Sequence, residues 1–257
     1  MILYFTGTGN SKFVADFLSC KLNDETVSIN EYLKCNRNIV CNSEKPYIIV
    51  APIYAWRFPA AVEDALKNAE FNGCQTVYCV ATMGENSGDT DKYLKKIFID
   101  KGMNFAGFIG VPMQNNYLLM EAMPTKDKVL NKLNGILPKL NKIADIISSG
   151  GVLRKDDKTP CPAFMSGVVN WGFSNYMLKN QKYSVNENCI LCGKCVDRCP
   201  VNNISIEEKN TIIFNTKCMA CFACLHYCPK EAINIKGKTE DKGRYICPDY
   251  RVLSGEK

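Results

Sequence analysis

The first 150 residues alternate between short apolar runs and stretches with helical periodicity. Because the apolar runs are continuous, they are typical of parallel strands that are covered on both faces. The five predicted strands lie at residues 2–5, 26–29, 47–51, 76–82 and 105–111. Helical spacing of apolar residues separates them. The pattern predicts an α/β fold built on a doubly wound, five-stranded parallel sheet.

The predicted helices follow from apolar spacing and from the residues at their ends. One covers residues 11–22, and another begins at Pro59, which suits the first turn of a helix. Gly102 is the expected stop of a third helix. The longest apolar stripe covers residues 129–147 and contains Pro138, which predicts a kink or a break just before it.

The chain divides into three predicted parts. A Ser-Ser-Gly-Gly stretch at 148–151 marks the end of a first domain, residues 1–150. Residues 161–178 are apolar but too short to span a bilayer, and they predict a helix within a connecting segment, 151–182. Residues 183–257 form a second, small α+β domain with a C-terminal tail.

The composition stands out in its 15 cysteines and its single histidine, His226. A His-rich zinc site is therefore excluded, and a Cys-His or Ser-His-Asp nucleophile would have to recruit His226 from within a cysteine motif. The N-terminus has neither the basic segment nor the long apolar segment of a secretory signal. We therefore expect a cytoplasmic protein with reduced thiols, and cysteines at this density indicate metal binding.

Eight cysteines form two copies of the motif C-x2-C-x2-C-x3-C-P, 29 residues apart. In such motifs three thiolates bind one [4Fe–4S] cluster, and the fourth, next to the proline, binds the other cluster. The spacing predicts one cluster on Cys189, Cys192, Cys195 and Cys228, and a second on Cys218, Cys221, Cys224 and Cys199. The alternative is a pair of structural zinc sites, which typically use ligand pairs separated by longer spacers. His226 is not required as a ligand, since the cysteines fill both sets.

A glycine-rich loop follows the first strand and opens a helix. Its residues are Thr6, Gly7, Thr8, Gly9, Asn10 and Ser11. Glycines permit a tight turn, and N–H groups at a helix N-terminus favour a phosphate. No Gly-Lys-Ser/Thr follows, and Lys12 occupies the third glycine position of a dinucleotide fingerprint. The loop therefore predicts a site for a terminal monophosphate.

Two further loops should lie beside it at the carboxyl edge of the sheet. Their candidate residues are Pro52, Ile53, Tyr54, Ala55, Trp56, Arg57 and Phe58 after the third strand, and Thr82, Met83 and Gly84 after the fourth. Together the loops predict a mononucleotide site. Trp56 is a candidate to cover a flavin ring, the amides near Met83 and Gly84 to bind its pyrimidine edge, and Arg57 to stabilise an anionic reduced flavin. The alternatives are a core role for Trp56 and a solvated surface charge for Arg57.

On these residues the N-terminal part resembles flavodoxin, and the C-terminal part resembles a bacterial two-cluster ferredoxin. The whole chain is similar to the flavodoxin–ferredoxin fusion family of anaerobic bacteria and archaea. The supporting segments are residues 5–11 and 52–57, the doubled cysteine motif, and Gly243, Arg244, Tyr245 and Pro248. The resemblance implies FMN in the first domain and [4Fe–4S] clusters in the second. Many flavodoxins carry a stacking tyrosine after the fourth strand, whereas residues 83–92 contain no aromatic, so Tyr117 or an aromatic from 164–176 is the candidate substitute.

The net charge of +6 lies mostly after residue 150. Each oxidised cluster with four thiolates adds about −2, and an FMN phosphate adds about −2 more. The loaded protein is then near neutral, so nucleic acid is not an expected partner. No apolar run approaches the roughly 20 residues of a membrane span, so no membrane partner is expected either.

No general acid, base or nucleophile is evident in the sequence. This favours an electron-transfer protein that passes electrons between FMN and two [4Fe–4S] clusters and on to redox proteins. One alternative is a flavin-dependent reductase of a small-molecule acceptor, with its pocket formed by residues 112–125 and 161–178. Another is an iron–sulfur redox sensor whose flavodoxin-like domain is an empty scaffold.

Overall fold

The structure is a computed structural model that describes residues 1–178 and 181–254. The predicted connecting segment and the predicted C-terminal domain include residues 179–180 and 255–257, which lie outside the described residues. The proposed domain boundaries themselves remain predictions. Within the described residues, no helix combines the length and the apolar character that a membrane span requires.

A five-stranded parallel sheet forms the centre of the N-terminal part. Its strands are β1 (Ile2–Tyr4), β2 (Thr26–Ser28), β3 (Tyr47–Pro52), β4 (Thr76–Met83) and β5 (Asn104–Pro112). They lie in the order β2-β1-β3-β4-β5, and every pair is parallel. This order is that of the flavodoxin-like doubly wound fold, and it confirms the predicted fold class.

Helices cover both faces of this sheet. They are α1 (Asn10–Leu22), α2 (Ile29–Lys34), α3 (Ala60–Asn68), α4 (Thr90–Asp100) and α5 (Lys126–Ser148). Helices α1 and α5 pack on the face that includes Ile2 and Ile48. Helices α2, α3 and α4 pack on the opposite face, which includes Leu3 and Ile49. Successive residues of a strand point to opposite faces, so the continuous apolar runs of these strands make both faces apolar.

The element ends differ from the predictions in a few places. Ile29 begins α2 rather than ending a strand, and Pro59 precedes α3 as its N-cap residue. A short parallel pair, Val40–Ser43 with Glu70–Gly73, was not predicted. The stop at Gly102 is confirmed, because its φ of +74° lets the chain leave α4 in the left-handed conformation.

Of the kink or break predicted at Pro138, the break is wrong, since α5 continues through this residue. Proline removes a single backbone hydrogen bond from the helix. The residues on either side, Leu133, Ile136, Leu140 and Ile143, are buried against the sheet. Their burial offsets the lost bond, because most helix stability in proteins comes from packing of the apolar face.

Residues 162–177 form a helical segment in which α-helical and π-helical turns alternate. The turns are Pro162–Phe164, Met165–Val169, Asn170–Gly172 and Phe173–Met177, the second and fourth being π-helical. We call residues 162–177 the π segment. The predicted connecting helix is therefore present, with an irregular hydrogen-bond ladder.

The C-terminal part repeats its backbone as well as its sequence. Its strands are β6 (Tyr183–Val185), β7 (Ile204–Glu207), β8 (Thr211–Phe214) and β9 (Ile233–Ile235), and its short helices are Lys194–Arg198, Ala223–His226 and Tyr250–Ser254. Strands β6 and β9 pair antiparallel, as do β7 and β8. Left-handed residues recur at equivalent positions of the two repeats: Leu191 and Ala220, Gly193 and Phe222, Asn202 and Glu231. The duplicated sequence therefore imposes the same turns twice.

Specific contacts join the C-terminal part to the flavodoxin-like part. The Lys34 ammonium donates to the Val196 carbonyl at 2.6 Å, and the Asn202 side chain donates to the Lys34 carbonyl at 2.8 Å. Near the end of the chain, the Tyr250 ring contacts the rings of Phe13 and Phe17 on α1 edge-on. The chain thus returns to its first helix after completing the cysteine motifs.

Candidate functional site

The glycine-rich loop connects β1 to α1 at the carboxyl edge of the sheet. Gly9 caps α1 with a φ of +103°, a left-handed conformation that favours glycine. The Gly9 amide donates to the Thr6 hydroxyl at 3.0 Å and closes the turn. Beyond it, the first N–H groups of α1 have no acceptor within the helix. The loop thus has the features of an anion site at a helix N-terminus.

A cavity of about 1250 Å³ opens at this edge of the sheet. All three predicted loops line it, through Thr6, Gly7, Thr8, Asn10, Ser11, Pro52, Ile53, Tyr54, Ala55, Trp56, Thr82, Met83 and Gly84. Gly9, Arg57 and Phe58 do not. Gly9 contributes its backbone turn instead, and Phe58 is buried in the core between the sheet and α3.

The structure assigns Arg57 a role that the sequence analysis did not foresee. Its guanidinium forms two hydrogen bonds with the Glu63 carboxylate of α3, and it lies 3.8 Å above the centre of the Tyr93 ring. Glu63 is buried, and burial raises the pKa of its carboxyl, although Arg57 acts in the opposite direction. Arg57 does not line the cavity and its charge is paired with Glu63, so we expect a structural role for it rather than a direct flavin contact.

Replacing Arg57 with methionine should therefore reduce stability and leave binding of a flavin at the large cavity, if one is bound there, almost unchanged. The substitution strands a buried carboxylate, so the apparent free energy of unfolding should fall by about 3 kcal/mol. Urea denaturation under anaerobic conditions measures this change. Adding Glu63→Gln to the same chain should recover most of the loss. An unchanged stability, or a large loss of FMN affinity, would contradict the assigned role.

The loop after β3 holds a strained backbone that the π segment stabilises. Ala55 and Trp56 have φ values of +47° and +64°. Asn170 of the π segment donates to the Ala55 carbonyl at 2.9 Å, and the Ser166 hydroxyl donates to the Trp56 carbonyl at 2.8 Å. The Trp56 indole N–H donates to Asn86 at 2.7 Å, which fixes the ring at the cavity. The loop and the π segment therefore form one wall.

The opposite side of the cavity supplies the aromatic side chains that residues 83–92 lack. Tyr117 lines the cavity, and so do Trp171, Phe173 and Tyr176 of the π segment. The Tyr117 hydroxyl is buried without a hydrogen-bond partner among the described residues. The structure thus brings both candidate sources of a stacking aromatic to the site. That one of them stacks on a flavin stays a prediction.

The eight motif cysteines separate into two groups in space. Cys199, Cys218, Cys221 and Cys224 surround one small cavity, and Cys189, Cys192, Cys195 and Cys228 surround another. Each group takes three cysteines from one repeat and one from the other. In the chain as described, no three His, Cys, Asp or Glu side chains converge as closely as a single metal ion requires.

Hydrogen bonds from the protein reach several of these sulfurs. The Asn203 amide approaches the Cys199 sulfur at 3.1 Å, and the Tyr183 hydroxyl lies 3.1 Å from the Cys218 sulfur. Hydrogen bonds to sulfur are one of the means by which a protein adjusts the reduction potential of an iron–sulfur cluster. Burial raises the pKa of the Cys221 thiol to about 12, so iron binding must displace a firmly held proton there.

The group that contains Cys221 borders the large cavity, and we call it the proximal set. A Cβ atom on Gly7 would lie 2.5 Å from the Cys221 carbonyl oxygen and 3.0 Å from the Tyr54 hydroxyl oxygen. Only glycine permits this approach. Ala220 also lines the large cavity. The group that contains Cys192 is the distal set; Cys192 is exposed, whereas Cys221 is buried.

Tyr54 occupies the boundary between the large cavity and the proximal set. Its hydroxyl is buried and has no hydrogen-bond partner within the described ranges. Burial raises the pKa of this phenol well above its ordinary value, with a smaller contribution from Cys221 and Cys218. Buried hydroxyls without partners are uncommon in folded proteins. This one therefore fits an acceptor supplied by a bound group.

His226 links the C-terminal motif to the glycine-rich loop. Its Nδ1 accepts a hydrogen bond from the Tyr245 amide, and its Nε2 donates to the Asn116 carbonyl, both at 2.9 Å. The Asn116 side chain donates to the Thr8 hydroxyl at 2.9 Å. Burial lowers the pKa of His226 to about 4, so the ring is neutral. Nothing in the sequence indicated this bridge, because its members are far apart in the chain.

The buried neutral His226 predicts a loss of stability at acidic pH. Its pKa is near 6.5 in the unfolded chain and about 4 in the folded chain, so the unfolded chain takes up the proton first as the pH falls. From about pH 7.5 to pH 5 this should lower the apparent free energy of unfolding by about 2 kcal/mol. His226→Gln, which does not titrate, should show a smaller decrease in urea denaturation. If the apparent free energy of unfolding fell by the same amount in the unaltered chain and in His226→Gln, the prediction would be contradicted.

The C-terminal tail covers the glycine-rich loop, which the sequence analysis missed. The Cys247 amide donates to the Thr8 carbonyl at 2.8 Å, and the Tyr245 hydroxyl donates to the Asn10 side chain at 2.6 Å. The Lys12 ammonium lies 3.1 Å from the Asp249 carboxylate. Tyr245 entered the sequence analysis only as part of a family resemblance, and nothing in its local sequence indicates this contact.

Comparison with known proteins supports the iron–sulfur assignment. Residues 181–229 match the family of 4Fe-4S dicluster domains. The C-terminal part of the chain is therefore similar to iron–sulfur dicluster domains, which supports a role in redox electron transfer. No match was found among curated proteins.

Three solved structures are similar to this chain over part of its length. The rubredoxin oxygen:oxidoreductase of the anaerobe Desulfovibrio gigas is 13% identical over 58% of this chain and 36% of that protein, with a TM-score of 0.34. The Trp repressor binding protein of Bacillus subtilis is 13% identical over 62% of this chain and 100% of that protein, with a TM-score of 0.33. The metal-soaked Flv1 flavodiiron core of Synechocystis is 17% identical over 55% of this chain and 36% of that protein, with a TM-score of 0.32. The chain spans about a third of the length of the first and third proteins.

Proposed function

We propose that this protein transfers electrons between FMN, bound at the large cavity, and two [4Fe–4S] clusters, and exchanges them with redox partner proteins. The observation that carries the proposal is the contact between Gly7 and Cys221. It puts the glycine-rich loop and the proximal set against each other, with the Tyr54 hydroxyl beside them. The proposed ligands are the proximal set for one cluster and the distal set for the other.

The residues at the cavity fit FMN in shape and in chemistry. The glycine-rich loop offers N–H groups and hydroxyls for a phosphate, and the walls offer aromatic and apolar side chains for the ring. FMN, when bound, supplies storage for one or two electrons, whereas each cluster passes one. Gly7 permits close approach, Trp56 closes one side of the site, and Tyr54 excludes water from the boundary and presents its hydroxyl proton there.

The two sets differ in exposure, and this difference supports an order of transfer. The distal set includes the exposed Cys192 and adjoins Ile190, which is 57% exposed. The proximal set lies against the cavity and includes the buried Cys221. In the proposed route, partner proteins exchange electrons with the distal cluster. The distal cluster exchanges them with the proximal cluster, and the proximal cluster exchanges them with FMN.

We also propose the domain limits 1–150, 151–182 and 183–257 and membership in the flavodoxin–ferredoxin fusion family.

Purification without oxygen, followed by chemical analysis and stepwise reduction, tests this function. The account predicts about eight iron atoms, about eight sulfides and about one FMN per chain. A reductive titration should take up about four electrons, two for FMN and one for each cluster. Zinc in place of iron would contradict the clusters. Full iron without FMN, and no uptake of added FMN, would instead favour the redox sensor with an empty scaffold.

A second function, reduction of a small-molecule acceptor at FMN, is favoured by the size of the cavity and by its aromatic far wall. The far wall, formed by lining residues within 114–120 and 169–177, holds four aromatic side chains, more than one stacking contact with a flavin would use. A carrier needs only an accessible flavin edge, whereas a reductase needs a second binding space. Rapid, saturable reoxidation of the reduced protein by a small molecule would favour the reductase over the carrier.

A further inference from the structure

The large cavity exceeds the space that one ligand needs. Its volume is about 1250 Å³, whereas sites for a single small molecule typically measure about 300–1,000 Å³. The loops proposed to hold FMN supply part of its lining. The π segment and residues 114–117 and 120 supply most of the rest, which we call the far wall.

The far wall has a consistent chemical character. Trp171, Tyr176, Met120 and Met177 provide aromatic and polarisable apolar surface. Aromatic rings and methionine sulfur both contact flat aromatic ligands favourably. Trp171 remains 66% exposed, so a ligand that covers it gains apolar contact area without first displacing a protein side chain.

Hydrogen-bond donors are available at the same wall. The Tyr117 hydroxyl is buried without a partner among the described residues. The Asn115 side chain accepts a hydrogen bond from the Tyr117 amide through Oδ1 at 3.0 Å, which leaves its Nδ2 group as a donor. A buried hydroxyl donor together with a nearby amide donor fits the carbonyl oxygens of a ligand.

Charge narrows the class of ligand further. Among the described residues, the cavity lining contains no lysine or arginine, and its one charged side chain is Glu85, which is exposed. A carboxylate, a sulfonate or a second phosphate-bearing ligand would find no cation to pair with. An uncharged ligand needs no such cation for binding.

The wall is also fixed in place. Ser166 is fully buried, accepts the Asp89 amide at 2.8 Å and donates to the Trp56 carbonyl. A Cβ atom on Gly88 would lie 2.2 Å from the Ser166 hydroxyl oxygen, so the loop after β4 packs tightly against the segment. The π-helical turns that flank Asn170 are a feature often found at functional sites. The additional space is therefore a built pocket.

We propose that this pocket binds a flat, uncharged aromatic molecule with carbonyl oxygens, a quinone, beside the bound flavin. The proposal rests on the second function proposed above. In the reaction that such a site supports, a quinone gains two electrons and two protons and becomes a hydroquinone. The electrons come from a one-electron, low-potential donor protein through the clusters and FMN, and the protons come from solvent.

Binding is measured on the oxidised, FMN-loaded protein, which has no electrons to transfer. The probe is duroquinone, an uncharged quinone whose ring is fully substituted and so resists addition of thiols. The chain has two tryptophans, Trp56 and Trp171, and both line the cavity. Calorimetry should show saturable binding of about one duroquinone per chain, accompanied by quenching of tryptophan fluorescence.

Two variants and one comparison ligand decide the outcome. Trp171→Ala should weaken binding by roughly tenfold, while Phe164→Ala, which alters an exposed aromatic of the same segment outside the lining, should change it less than about twofold. Chloranilate, a dianionic quinone of similar size, should not bind. Absent binding, equal binding of chloranilate, or equal effects of the two variants would overturn the proposal. Flavin absorbance of the same samples separates this failure from loss of FMN, which would contradict the proposed function as well.

Discussion

Replacing Cys221 with alanine should remove about half of the iron and interrupt the transfer of electrons between the distal cluster and FMN. Cys221 belongs to the proximal set, and its carbonyl contacts the glycine-rich loop. Without it, the proximal cluster loses one of its four thiolates, and the distal set keeps all of its own. FMN should remain bound, because alanine retains the backbone and the Cβ atom at the contact with Gly7.

Cys35→Ala is the matched control for this experiment. Cys35 is an exposed thiol at the end of α2 and lines neither cysteine cavity. Iron content, cluster absorbance and the rate of FMN reduction by a one-electron donor protein should equal those of the unaltered chain. In the Cys221 variant, that rate should fall by roughly tenfold or more, since the adjacent cluster is missing. Full iron content in the Cys221 variant would contradict the assigned ligand set.

Replacing Gly9 with alanine should lower the affinity for FMN by roughly tenfold or more, while the clusters remain intact. The new Cβ atom would meet Cys247 at 2.9 Å, at a φ of +103° that side chains rarely adopt. Gly9 also donates to Thr6 and begins α1. A displaced Gly9 therefore moves the N–H groups that would hold the phosphate, whereas the cysteine loops keep their own turns.

Gly102→Ala separates backbone strain from loss of the site. Gly102 has a φ of +74°, but its Cβ atom would have no neighbour within 4 Å, and it does not line the cavity. This variant should lose about 1 kcal/mol of stability and keep its FMN. Fluorescence titration of the apoprotein with FMN measures both affinities. Equal affinities in the Gly9 and Gly102 variants would show that the glycine-rich loop does not hold the phosphate.

The sequence carried most of the information about the sheet. Strands β3 and β4 are covered on both faces, and their continuous apolar runs predicted them to within a residue or two. The short pair Val40–Ser43 and Glu70–Gly73 escaped prediction because its residues are largely polar. The break predicted at Pro138 was wrong, since local propensity does not account for the packing of the rest of the helix.

The candidate site was less predictable wherever it depends on long-range contacts. The glycine-rich loop and the cysteine spacing are local patterns. In the structure the loop lines the large cavity, and the cysteines form the two sets. The contacts of Thr8 with Asn116 and Cys247, by contrast, span more than a hundred residues. No periodicity or motif encodes such pairs, because tertiary packing alone selects them.

Iron-edge anomalous diffraction from crystals grown without oxygen tests the central claim most directly. The account predicts two separate iron peaks, one within each cysteine set, and flavin density against Gly7 and Tyr54 on the side of the proximal set. A map without iron at either set, or flavin density that adjoins the distal set instead, would contradict it.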